Sequence, residues 1–438
     1  MKPASYPYPE SGHLELSDSF PRRVLETGRS VVQLTSGKAF CYPLYYFIPS
    51  FSRDLKYVVY HRAEAGEVQM YRLELSTGES VQLTSGCVLK TGWDHWDDEA
   101  GCGILDHRSV LNVSTGDLIY FDGEQGNEVH SVNIDSLEHK LLFTLPEDYY
   151  AGGQNCVSPD GRYLVYILNP IGSKYLEPLP DKPSKVVAYA FATGKQKTLC
   201  EVDFHIHHII PYGNEHYIGC HTPNGCGIFM TSLSEFGYTI LRAGDPGLKV
   251  TGEDEDIGGH ACHYVCTEQG IAYEVIPFTM RAPRKDKTEA VATVKGGFCT
   301  GLYDPITRAR FEFPLPDHFV GTHVGWDPKG RRWFWEIMPS WDQASANQII
   351  YLQSLKSSGE ADFLPLTPKW MNYGTKQKSH HHPQMTPDSN WLLFVAGDPE
   401  TETNHLHLLD MSDLPETEGI GRELLSPDGV NDLKRISY

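Results

Sequence analysis

Three consecutive histidines, His380-His381-His382, lie between Gln377-Lys378-Ser379 and Pro383. They are followed by the turn signature Thr386-Pro387-Asp388-Ser389 and the apolar run Trp391-Leu392-Leu393-Phe394-Val395. Imidazole is a common metal ligand and, with a pKa near neutrality, the usual general base. A histidine cluster at a fixed distance from a turn can serve either chemistry. The distance recurs: His382 stands four residues before Thr386, His323 four before Asp327-Pro328-Lys329-Gly330, His263 four before Thr267-Glu268-Gln269-Gly270, and His207 four before Pro211-Tyr212-Gly213-Asn214. If these segments are copies of one structural unit, their equivalent positions converge on one axis and imidazoles from distant parts of the chain collect there.

On an extended strand, side chains two residues apart share a face, so His380 and His382 point one way and His381 the other. With His323 from the preceding segment and Gln377 just upstream, they form an imidazole and amide-oxygen set that suits a divalent ion such as Mn²⁺ or Zn²⁺. The plainer reading of the same residues is histidines that hydrogen-bond along a channel. His263, at the equivalent place in another segment, is the candidate general base, and His207, His208 and His260 are candidates for holding substrate. Cys262 and His263 alternate faces on a strand, which disfavours a Cys/His dyad. No GxSxG, HExxH, P-loop or GxGxxG in a strand-to-helix setting occurs, so nucleophile-elbow hydrolases, zinc proteases and nucleotide enzymes have no support.

A scaffold must gather these residues, and the chain repeats one layout seven times: a short apolar strand, a polar turn, a second and third strand, and a second turn. The first copy runs Tyr45-Tyr46-Phe47-Ile48, Ser52-Arg53-Asp54, Tyr57-Val58-Val59-Tyr60, Met70-Tyr71-Arg72-Leu73 and Ser76-Thr77-Gly78-Glu79. Turn starts near Ser52, Ser114, Ser158, Pro211, Thr267, Asp327 and Thr386 give intervals of 62, 44, 53, 56, 60 and 59 residues. These exceed the roughly 40–50 residues of a minimal propeller blade, so loops are inserted. The expected fold is all-β: a seven-bladed β-propeller forming a single domain over residues 1–438. The last copy is one strand short after His405-Leu406-His407-Leu408-Leu409, while the N-terminal segment, about 1–40, offers Val24-Leu25 and Val31-Val32-Gln33-Leu34 around Thr27-Gly28-Arg29-Ser30. That segment is expected to complete the seventh blade and close the ring. Two unrelated β-sandwiches are the alternative. Larger insertions fall near 87–107, 168–182, 243–259, 279–294 and 338–346. The first carries Trp93, His95, Trp96, Asp97 and Asp98, too aromatic for a plain solvent loop, and His95 joins the substrate-binding candidates. The acidic run Glu253-Asp254-Glu255-Asp256 reads as a solvated loop.

Composition agrees with many short strands and little helix: the 438 residues are 40% apolar and 21% charged, with 40 Gly, 29 Pro and 24 Tyr. A formal net charge of −20 argues against a nucleic-acid partner, whose binding depends on Lys and Arg displacing counterions. An anionic small substrate is compatible if a local cationic or metal site offsets the general field. No run of about 18 apolar residues is present, so no membrane span is expected. Met1 to Phe20 lacks the basic and apolar regions of a secretory leader, and a cytoplasmic location is the expectation. Ten cysteines without CxxC spacing read as reduced thiols. Nothing in the composition sets an oligomeric state.

The segment Gln377-Lys378-Ser379-His380-His381-His382-Pro383 with Thr386-Pro387-Asp388 resembles the Gln-x-x-His-x-His-Pro metal segment of the oligogalacturonate lyases, seven-bladed propeller polysaccharide lyases that cleave short uronate oligosaccharides. The stretch from Thr27-Gly28 to Leu34-Thr35 and the strands around Ser52 to Tyr60 are similar too. The resemblance implies that Gln377, His380 and His382 bind Mn²⁺, with Zn²⁺ or Ca²⁺ as alternatives. It also implies that His323 is the third histidine ligand and that His263, seven residues before Gly270, is the catalytic base. The implied reaction is β-elimination on an anionic oligosaccharide, with a 4,5-unsaturated sugar as product. One departure stands out. The family places a catalytic arginine shortly after the second strand of the fourth blade, whereas Cys220 to Phe229 contains none; Arg242 and Lys174 are cations that could substitute. A lyase for a glucuronate or iduronate glycan, or a propeller that binds without catalysis, are the alternatives this departure leaves open.

Overall fold

The computed structural model describes residues 14–88, 102–104, 107–173, 179, 181–220, 228–242, 259–267, 270–277, 299–303, 310–314, 320–326, 333–338, 347–355, 361–374 and 379–414, with only the backbone for parts of the strands after 258. The protein is all-β, and among the described residues there is no α-helix and hence no helix long and apolar enough to cross a membrane. Antiparallel four-strand meanders follow one another along the chain. Their first strands are Phe40–Pro43, Val110–Asn112, Tyr149–Val157, His208–Tyr212, Gly259–Thr267 and Val320–Trp326. A single parallel bridge, Gln154 to His208, merges two of these meanders into one eight-stranded sheet. The last sheet begins at Gln384–Met385 and continues through Trp391–Asp398 and Thr403–Asp410. Its outer strands come from the other end of the chain: Ser30–Gln33 pairs with Thr403–Asp410, Val31 opposite Leu409, and Arg22–Val24 pairs with Ser30–Gln33.

First strands of successive sheets lie side by side from Val110–Asn112 through to Gln384–Met385. The Gln384 side chain then donates to the carbonyls of Leu44 (2.6 Å) and Tyr45 (3.1 Å), placing the last sheet against the first. The sheets stack through apolar faces. Tyr163–Pro170 reads Tyr-Leu-Val-Tyr-Ile-Leu-Asn-Pro, and every residue after Tyr163 is buried, whereas His139–Thr144, an outer strand, is largely exposed. Burial of a large aliphatic side chain contributes roughly 1.5–3 kcal/mol, so these doubly covered strands hold neighbouring sheets together.

The turns are built alike. Ser52 Oγ accepts from Tyr57 N (2.9 Å), Ser158 Oγ from Tyr163 N (3.0 Å) and Thr386 Oγ1 from Trp391 N (3.0 Å). Each hydroxyl also donates to the carboxylate two residues on, Asp54 (2.7 Å), Asp160 (2.7 Å) or Asp388 (2.5 Å). A short hydroxyl side chain satisfies the backbone of a tight turn in this way, and the recurrence marks the segments as copies of one unit. Gly153 has a stricter requirement. Its φ is +52°, and a Cβ there would lie 1.6 Å from the His207 carbonyl oxygen, which is the acceptor of Gln154 N at 3.0 Å. Only glycine lets the two first strands approach this closely.

Two expectations about strands are corrected. Tyr45-Tyr46-Phe47-Ile48 is not the first strand of its unit; that strand is Phe40–Pro43, and residues 44–49 leave the sheet as a buried loop before Phe51 pairs with Val58. The loop closes on itself through Ile48 N to Tyr45 O (2.7 Å) and Leu44 N to Ser50 Oγ (3.0 Å), which gives those backbone groups partners outside a ladder. The histidine segment is not extended either. His382 adopts φ +45°, the strand beside it is only Gln384–Met385, and Pro383 lacks the N–H a ladder would need. The described cysteines Cys41, Cys87, Cys156, Cys200, Cys220 and Cys266 form no disulfide. The insertions at 243–258, 278–298 and 339–346, including the acidic run, lie outside the described residues, as do His95 and Gln377.

Candidate functional site

Strand Trp333–Met338 reads Trp-Phe-Trp-Glu-Ile-Met, and its one carboxylate, Glu336, is completely buried. A buried carboxylate is costly unless it is hydrogen-bonded and balanced by charge. Here its two oxygens each take one imidazole: His323 Nδ1 donates to Oε2 and His380 Nδ1 to Oε1, both at 2.8 Å. His323 comes from the adjoining first strand Val320–Trp326 and His380 from the segment before Gln384, so the carboxylate ties two sheets together. The His382 ring stacks on His323 with centroids 4.5 Å apart, and His380 meets His323 edge-on at 4.5 Å. Three imidazoles from two segments therefore share one place.

An ionised carboxylate only accepts, so both Nδ1 atoms carry protons and the neutral rings present lone pairs at Nε2. The Tyr45 hydroxyl donates to His323 Nε2 at 3.2 Å. Its ring lies 5.1 Å from His382 and 5.2 Å from His208, placing the buried loop 44–49 at the centre of the histidines. His107, with φ +57°, closes another side at 5.9 Å from His382. His381 faces elsewhere: its Nδ1 donates to the Val395 carbonyl and its ring packs on Phe394. Both Gln348 and Asn372 donate to the Ser379 carbonyl, at 2.8 and 3.0 Å, and fix the backbone just before His380.

Burial pushes His323 down to about 4, partly opposed by Glu336, and holds His382 well below the ordinary imidazole range. Burial works against the Glu336 carboxylate, but His380 and His323 beside it hold its pKa well below the usual range. His323 and His382 are thus kept in the neutral form that metal ligation requires.

No protein-family model matches the chain. It is 22% identical over 396 residues to an oligogalacturonate lyase of Dickeya dadantii strain 3937, covering 84% of this chain and 90% of that protein. It is similar in fold to an oligogalacturonate lyase from Vibrio parahaemolyticus (TM-score 0.65, 17% identity) and to an oligogalacturonate lyase in complex with manganese (TM-score 0.67, 16% identity). Each of these likenesses covers 91% of this chain and 98% of the other. The chain resembles the oligogalacturonate lyases.

Set against that resemblance, the donor set fits a divalent cation. His323, Glu336 and His380 place one donor atom each within 4.8 Å of one another. Both Glu336 oxygens are engaged by Nδ1–H groups, so Glu336 orients the two rings, and the Nε2 atoms are the donors a cation would use, the arrangement in which an outer carboxylate fixes the tautomer of a ligating histidine. The other residues expected from oligogalacturonate lyases are placed less fully. His207 and His208 are buried neighbours, ring centroids 4.5 Å apart, with His208 toward Tyr45 and His207 toward His205. His260 and His263 lie on strand Gly259–Thr267, where the pairing register breaks between Cys262 and Tyr264; their side chains lie outside the described residues, and Gln377 and His95 do so entirely. Glu336, Tyr45 and His107 were not anticipated. For Glu336 a signal existed, a lone acid inside an apolar strand; Tyr45 and His107 carried none.

Proposed function

We propose that the protein is a metal-assisted polysaccharide lyase that cleaves uronate-containing oligosaccharides of the oligogalacturonide type. The observation that carries this reading is the Glu336 clamp, which holds His323 and His380 by their Nδ1 atoms with their rings 4.5 Å apart and His382 stacked on His323. The relatives named oligogalacturonate lyase, one of them solved in complex with manganese, make Mn²⁺ the ion of choice. His323, His380 and His382, with Gln377, would hold it. When bound, the ion supplies positive charge to a uronate carboxylate and so acidifies the C5 proton α to it.

The chain's own groups do the rest. His263, on the first strand of the neighbouring sheet, takes the C5 proton; the electron pair forms the C4–C5 double bond and the C4–O bond breaks, releasing the non-reducing-side fragment, whose departing oxygen takes a proton from water, and leaving a 4,5-unsaturated uronate at the non-reducing end of the other fragment. His207, His208 and His260 bind sugar hydroxyls. The buried loop 44–49 excludes water from beneath the site. The scaffold is read as a seven-bladed β-propeller whose last blade takes its outer strands from the N-terminus, a reading supported by the recurring turn, the ordered first strands and the pairing of Val31 with Leu409. Purified protein supplied with Mn²⁺ should generate the ultraviolet absorbance of a conjugated unsaturated uronate from oligogalacturonides, and His380→Ala should lose both the ion and the signal. Bound ion without product from any uronate oligomer would mark a binding protein and overturn the lyase.

A further inference from the structure

Tyr45 hydroxyl occupies the nitrogen that ligation by His323 would use. We infer that Tyr45 caps His323 Nε2, so that the phenol and an incoming divalent cation compete for one lone pair and Tyr45 sets the affinity of the centre. The inference rests on reading His323, His380 and His382 as ligands. Glu336 fixes the His323 proton on Nδ1, which leaves Nε2 an acceptor, and the Tyr45 O–H is the donor that meets it at 3.2 Å.

The cap is held in place by its own loop. Gln384 donates to the Leu44 and Tyr45 carbonyls, Leu44 N donates to Ser50 Oγ at 3.0 Å, Ile48 N donates to Tyr45 O at 2.7 Å, and the Tyr46 hydroxyl donates to the Tyr264 carbonyl at 3.1 Å. Gln384 is two residues past His382, so the segment that carries two ligands also positions the cap. With the backbone clamped on both sides of Tyr45, exchange of hydroxyl for cation is a side-chain rotation and not a loop opening. A net hydrogen bond of about 0.5–1.5 kcal/mol lowers the affinity of a competing ligand by about 2- to 12-fold at 1.36 kcal/mol per tenfold.

The test is calorimetric titration of the full chain with Mn²⁺ near neutral pH, comparing wild type with Tyr45→Phe, each first shown to be folded by thermal unfolding without metal. Tyr45→Phe is expected to bind Mn²⁺ about 2- to 12-fold more tightly. Equal or weaker binding overturns the cap while leaving the metal centre standing; no binding by either protein overturns the centre and the cap with it. Mn²⁺ should also perturb the tyrosine ultraviolet absorption of wild type and not that of Tyr45→Phe, and the same perturbation in both proteins would count against Tyr45.

Discussion

Replacing Glu336 by Gln isolates the role of the clamp, because the side chain keeps its shape and loses only its charge and one acceptor. In the native arrangement each oxygen accepts one Nδ1–H at 2.8 Å, from His323 and from His380. A carboxamide offers one oxygen and one NH₂ group, and the NH₂ necessarily faces an Nδ1–H. One ring must move its proton to Nε2 or turn away, and in either case one of the two lone pairs leaves the centre. Loss of an outer partner of a ligating histidine typically weakens metal binding about 10- to 100-fold, which at 1.36 kcal/mol per tenfold is about 1.4–2.7 kcal/mol. Calorimetric titration with Mn²⁺ reads this directly, and denaturant unfolding without metal separates it from general destabilisation, expected at about 1–3 kcal/mol for the disturbed buried bond. A folded Glu336→Gln protein whose Mn²⁺ affinity matches wild type would refute the assignment of Glu336 to orienting the rings.

Other consequences follow from the same contacts. His323, lowered to about 4, and His407, lowered to about 3, each have a folded pKa below the unfolded value near 6.5, chiefly through burial. The unfolded chain therefore binds more protons between those values, so the stability these groups confer is full above about pH 6.5 and is lost as pH falls toward 4 and then 3, His323 alone accounting for about 3 kcal/mol. Denaturation midpoints measured from pH 8 to pH 4 should stay level and then fall, and a flat profile to pH 4 would contradict the buried neutral state. Changing His381 to Leu should remove the donor to the Val395 carbonyl and lower stability by about 1–3 kcal/mol, while a folded variant keeps wild-type Mn²⁺ affinity in the same titration. Gly153→Ala, forcing a Cβ to within 1.6 Å of the His207 oxygen at φ +52°, should cost more than about 3 kcal/mol in chemical denaturation.

The parts of the site legible in the sequence are those written in local chemistry. A hydroxyl, a carboxylate two residues on and an apolar strand suffice to form the turn seen at Ser52, Ser158 and Thr386, and counting back from the turn at Thr386 reaches His382 without knowledge of any contact. The facing of His380 and His382 was anticipated for the wrong reason. Strand alternation does not apply to a segment with His382 at φ +45°; His380 meets His323 because Glu336, 44 residues from His380, takes the Nδ1 proton of each, and His382 stacks on His323. That partnership is invisible locally, since an acid in Trp-Phe-Trp-Glu-Ile-Met has no pattern that names its partners. Tyr45-Tyr46-Phe47-Ile48 misleads more deeply, because aromatic and β-branched residues favour strands and only a distant side chain decides otherwise. Gln384, 339 residues along the chain from Tyr45, supplies the donor that lets those carbonyls leave a ladder. Local propensity thus builds the repeated unit, and its exceptions, the unextended histidine segment and the loop under it, fall together where the sheets meet. A repeat that surrenders its regular pairing at one place, and there buries a carboxylate between imidazoles, has spent local stability on chemistry.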